Sequence, residues 1–108
     1  MSVEADFATV ADALAARDGS VVRDRIFRSD GLKTHDRFFA FARRGELVVK
    51  VPADRVSELI ARGEGQPFRS GKRVMREWVT LEPADAEALA DYVGEAHRFA
   101  GGDTGGEG

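Results

Sequence analysis

The apolar residues of this chain change period along its length, and that change limits the fold more than any other feature. From the start, Val3, Phe7, Val10 and Leu14 recur at spacings of four, three and four, which is one stripe of an α-helix. Across "RFFAFARRGELVVKV" the period drops to two, placing Phe39 and Phe41 on one face of a strand and Leu47, Val49 and Val51 on one face of the next. The helical period returns at Val56, Leu59 and Ile60, and again at Leu89, Tyr92, Val93 and Ala96. A chain of this kind buries its stripes by laying helices on a sheet.

The breaks between these segments fix the predicted elements. Ser2 can cap the first helix, and Asp18-Gly19 ends it. A first strand is expected from about Val22 to Thr34, bent at Ser29-Asp30-Gly31, because a glycine within a strand pattern marks a bulge or a turn of direction. "THDR" and "RRGE" are short polar breaks that suit hairpins, so three strands should form an antiparallel meander. Pro52 opens a second helix that Gly63 closes. "GEGQPFRSG" reads as a loop, followed by two short strands at Arg73 to Met75 and Glu77 to Leu81. Pro83 begins a third helix with Asp85 and Glu87 near its positive end. The expected fold is α+β in two layers, in the order α-β-β-β-α-β-β-α, an antiparallel sheet with its helices on one face. Residues 1–100 should form one domain and 101–108, "GGDTGGEG", a disordered tail.

Composition removes several chemistries. There is no Cys, so disulfides, thiolate metal sites and Cys nucleophiles are excluded. The apolar runs are far shorter than the ~20 residues that cross a bilayer, and the acidic N-terminus does not read as a signal peptide, so a cytoplasmic protein without a membrane partner is expected. His35 and His97 lack metal-ligand spacing: His35 reads as a turn residue, and His97 as a cation in the last turn of a helix. The pairs Asp85 with Glu87, Asp24 with Asp30, and Ser70 with Lys72 come with no base and orienting partner. No catalytic residue, metal or cofactor is expected.

Two stretches carry a resemblance. "GLKTHDRFFAFARRGELVVKVPADRVSELIARGEGQPF" and the following "KRVMREWVTL" make the region from about Ile26 to Leu81 similar to the TfoX N-terminal-domain-like group and its YjbR or MmcQ-like relatives. The resemblance implies a YjbR-like, secretion-chaperone-like α+β fold. TfoX proteins are linked to the regulation of DNA uptake and YjbR-like proteins are often labelled DNA-binding, so it also implies a binding module; it transfers no catalytic motif.

Charge is segregated along the chain. The whole carries a net −3, yet residues 23–76 hold 14 Lys plus Arg against 7 Asp plus Glu, a balance of +7, and the remainder is at −10. Arg37, Arg43, Arg44, Lys72, Arg73, Arg76 and Trp78 are the candidate nucleic-acid interface, with Phe38 or Trp78 available for stacking. The competing reading is that the same cations solvate the sheet, guard its edges and pair with the acidic helices, with an Arg stacked on Trp78. The expected function is therefore a small non-catalytic binding module, either for nucleic acid or, through residues such as Phe38, Val48 and Trp78, for protein or self-association.

Overall fold

Helix α1 (Val3–Arg17) begins where the Ser2 hydroxyl accepts the Ala5 amide at 3.0 Å, and its stripe buries Phe7, Ala11 and Leu14. These positions belong to a computed structural model that describes residues 2–101, so most of the expected tail lies outside the described residues. Asp18 closes α1 and ties three elements together. Its carboxylate accepts the Ser20 amide at 2.9 Å and the Ser20 hydroxyl at 2.8 Å, and it lies 2.8 Å from Nε2 of His97. The Ser20 hydroxyl in turn meets the buried Thr34 at 2.6 Å. His97 is thus a buried strut between helices, beyond the dipole role expected of it.

Six strands follow in two groups: β1 (Val21–Ile26), β2 (Ser29–Thr34), β3 (Arg37–Arg43) and β4 (Glu46–Lys50), then, after α2 (Ala53–Ala61), β5 (Gly65–Ser70) and β6 (Arg73–Leu81), before α3 (Ala86–Phe99). They make one antiparallel sheet in the order β1-β2-β3-β4-β6-β5. The α+β class and the helix-backed sheet are as expected, with one more strand before α2. The segment Val22 to Thr34 is not one bent strand: it doubles back at Phe27-Arg28, whose φ values of 51° and 62° are those of a type I′ hairpin turn. Similarly, "GEGQPFRSG" supplies β5, and the two short strands predicted after it are one continuous β6.

Three helices cover one face of the sheet. Val56 and Leu59 of α2, and Leu89, Val93 and Ala96 of α3, join the α1 stripe over Leu47, Val49, Val51, Val79 and Leu81. The β2–β3 register slips by one residue after Leu32, which leaves Phe39 unopposed. Phe39 and Ala40 consequently both face the helices, while Phe41 points to the other side, a correction to the strict alternation that put Phe39 with Phe41.

The other side of the sheet holds a second, smaller core of Phe41, Val48 and Phe68, flanked by Ile26, Met75 and Trp78. Strands β3 and β5 are three places apart, about 14 Å in a flat sheet, yet the rings of Phe41 and Phe68 are 5.6 Å apart. Phe27, from the turn beside the opposite edge, also reaches Phe68 at 5.9 Å. The sheet must therefore curl strongly. Gly31 permits part of this, since a Cβ there would sit 2.6 Å from Cγ2 of Ile26.

Two predictions follow from local geometry. Arg28 holds a left-handed φ that costs a non-glycine residue about 1 kcal/mol, so Arg28→Gly should raise the melting temperature by several degrees; an unchanged or lower value contradicts the turn assignment. Tyr92, the sole tyrosine, donates to Glu64 at 3.3 Å, and burial, then the Glu64 charge, push its pKa above the usual phenol range. A raised folded-state pKa stabilises below the ordinary tyrosine range and is lost as pH climbs through it. Absorbance titration of the folded protein should show late phenolate formation that Glu64→Gln shifts back towards the ordinary value.

Candidate nucleic-acid interface

A concavity lined by several cations forms where the sheet bends. On β5, Pro67 opposes Val79 and the next residue, Phe68, opposes Met75, so Arg76, Glu77 and Trp78 of β6 have no partner on that side. Their other side stays attached to β4: Trp78 pairs with Lys50, and the Val51 amide donates to the Glu77 carbonyl at 3.0 Å. A three-residue excess on one strand of a pair forces it to bow. Behind the bow lies a cleft of about 460 Å³ walled by Lys50, Arg73, Val74, Arg76, Glu77 and Trp78. Ala53, the first residue of α2, also lines it, and Pro52 gives that helix start no side-chain cap.

A second cleft of about 260 Å³ adjoins the first, sharing Lys50 and Glu77 and adding Arg37, Phe38 and the half-exposed Phe99. Together the two clefts present four cations and one carboxylate. The cations come from three strands, Arg76 lying with Arg73 on β6. Arg37 opens β3 straight after the His35-Asp36 turn (φ 52° and 65°), Lys50 ends β4, and Arg73 begins β6 after the tight turn at Gly71 (φ 63°).

The protein's ion pairs separate two populations of basic residues. Arg23 pairs with Asp12 at 2.8 Å and with Asp30, Lys33 with Asp24 at 2.9 Å, Arg55 with Glu95 at 2.8 Å, and Arg62 with Glu64 at 3.0 Å. Lys33 holds the Asp24 carboxyl below the usual carboxylate range, and Asp24 raises Lys33 in return. Among the described residues, Arg37, Lys50, Arg73 and Arg76 form no ion pair. Neutralisation by helix carboxylates, expected as the bland fate of the basic residues, is thus what happens to Arg23 and Arg55 but not to the cleft.

Of the residues singled out from the sequence, Arg37, Arg73, Arg76 and Trp78 line this joined cleft, and Lys72 sits beside it in the β5–β6 turn. Arg43 and Arg44 do not belong to it. They lie at the opposite end of β3, about 20 Å from Arg37 along the strand, with Arg44 in a turn and the Arg43 guanidinium 5.6 Å over the Phe68 ring. Trp78 carries no stacked Arg; it is half-buried against Phe41 at 5.7 Å and Phe68 at 6.2 Å. Val48, offered as an apolar contact for a protein partner, is buried in the second core. Lys50 and Phe99 were missed, because Lys50 reads as an outward residue of an ordinary alternating strand and Phe99 as the end of a helix.

Several of the side chains weighed for catalysis or metal binding have structural roles. Asp85 caps α3 by accepting the Ala88 amide at 2.8 Å, Asp30 and Asp24 sit in ion pairs, His97 is held by Asp18, and His35 occupies a hairpin turn. No family model, curated protein or solved structure matches the chain.

The bow of β6 rests on the second core. Phe68→Ala, outside the cleft, should destabilise the fold by about 3–5 kcal/mol, measured by urea unfolding, and shift the emission of Trp78, which packs on it. A loss below about 1 kcal/mol contradicts a packed second core.

Proposed function

We propose that this protein is a non-catalytic binding module whose joined cleft takes a polyanion, nucleic acid foremost. The observation that carries this is the set of four cations, Arg37, Lys50, Arg73 and Arg76, drawn from three strands to two adjoining clefts and forming no ion pair among the described residues. Phosphate contacts of this kind supply most of the free energy of non-specific nucleic-acid binding. A chain with pI near 5.4 has a repulsive average field, so the attraction must be local. The motifs "GLK", "FFAF" and "KRVMREWV" add support from the sequence, and on those motifs alone we infer kinship with the TfoX N-terminal-domain-like group.

A second reading, self-association without a nucleic-acid role, draws on the exposed Val22, Phe27 and Val74, which are about half accessible. Sedimentation that reports a dimer masking these residues favours it; a monomer at high concentration removes it.

Fluorescence anisotropy with a labelled oligonucleotide tests the leading reading. Affinity should fall linearly in log–log form with salt, with a slope of about −0.7 for each phosphate engaged. Arg73→Glu with Arg76→Glu should lower affinity at least about tenfold and flatten that slope, whereas Arg43→Glu with Arg44→Glu, at the far end of β3, should change it far less. No anisotropy change with micromolar protein at low salt overturns the reading.

A further inference from the structure

Resting on that polyanion reading, the geometry points to single-stranded nucleic acid, held as a dinucleotide step with one phosphate at Lys50 and a base in the cleft on either side. Three observations lead there. The four cations line concavities of about 460 and 260 Å³ together with three aromatic residues, Phe38, Trp78 and Phe99, a mixture that suits a strand whose bases are free to stack. Each compartment carries its own flat apolar surface beside the cations: Phe38 and Phe99 in the smaller, Trp78 in the larger. Lys50 alone among the cations borders both compartments, which is where the linking phosphate of two splayed bases belongs.

A duplex keeps its base faces stacked internally and offers only phosphates and edges, so it could use the cations but not the rings. Unstacked bases can use both. Lys33 lies 5.5 Å over the Phe38 ring, and Trp78 packs on Phe41 and Phe68. Phe99, at the end of α3, is the accessible member, exposed by 39%. Glu77, the lone carboxylate of the lining, borders both compartments as Lys50 does and repels a phosphate there, an opposition that the four cations outweigh.

The test compares four ligands of about ten nucleotides at one salt concentration: oligothymidylate, oligouridylate, an abasic phosphodiester strand, and the oligothymidylate paired with its complement. We expect either single strand with bases to bind at least about tenfold more tightly than the abasic strand and the duplex, and to change the emission of Trp78, the sole tryptophan. Phe99→Ala, at an exposed position, should lower the affinity of the base-bearing strands several-fold with their salt slope unchanged, while Arg73→Gln should flatten the slope. Equal binding of all four ligands, with Trp78 emission unmoved, overturns the single-strand inference and leaves the basic-cleft reading standing. Absence of binding by every ligand at low salt overturns both.

Discussion

Three aromatic rings from three strands, Phe41, Phe68 and Trp78, pack against one another on the side of the sheet away from the helices, and that contact sets the curvature of everything around it. A six-stranded antiparallel sheet backed by helices could leave its second face to solvent. Here the rings draw β5 towards β3, across two intervening strands, and the strain is taken up in β6, where Arg76 to Trp78 bow out of register with β5. The bow is also the wall of the cleft. Packing on one face of the sheet and the concentration of cations at its end are therefore two consequences of one deformation.

The electrostatics divide along the same line. Elsewhere basic residues find carboxylates of the terminal helices: Arg55 of α2 reaches Glu95 of α3, and Arg23 of β1 reaches Asp12 of α1. At the end of the sheet where β3 starts, β4 finishes and β6 begins, the lining offers a single carboxylate to four cations, and the uncapped start of α2 adds to the positive potential there. An acidic protein can in this way carry a local attraction for anions that its net charge conceals.

Much of the architecture was legible in the sequence because it rests on period and caps. The stripe Phe7, Val10 and Leu14, the strand pair across Arg44-Gly45, and the helix ended at Gly63 needed nothing beyond apolar spacing and the left-handed tolerance of glycine. What escaped was decided by tertiary contacts. Phe27-Arg28 contains none of the residues that usually signal a type I′ turn; Phe27 is held there by its rings' contacts with Phe41 and Phe68, so the β1–β2 hairpin looked like one strand. Likewise β5 carries Gly65 and Pro67, which read as loop, and survives as an edge strand that needs no amide from Pro67. The site was half legible. Charge segregation pointed to the central segment, but linear spacing cannot tell that Arg43 and Arg44 end at the far end of β3 from Arg37, or that Lys50 lines one cleft with Arg73 and Arg76 of the bowed strand.

The most direct test of this account is a nuclear Overhauser spectrum of the protein with its Phe and Trp rings labelled. Curling of the sheet around a second core predicts cross-peaks from the Phe68 ring to both Phe41 and Phe27, residues that a flat sheet would hold well apart. A spectrum that retains the β4–β6 backbone contacts but shows no Phe68 to Phe41 cross-peak would contradict the curled sheet and, with it, the bowed wall on which the cleft depends.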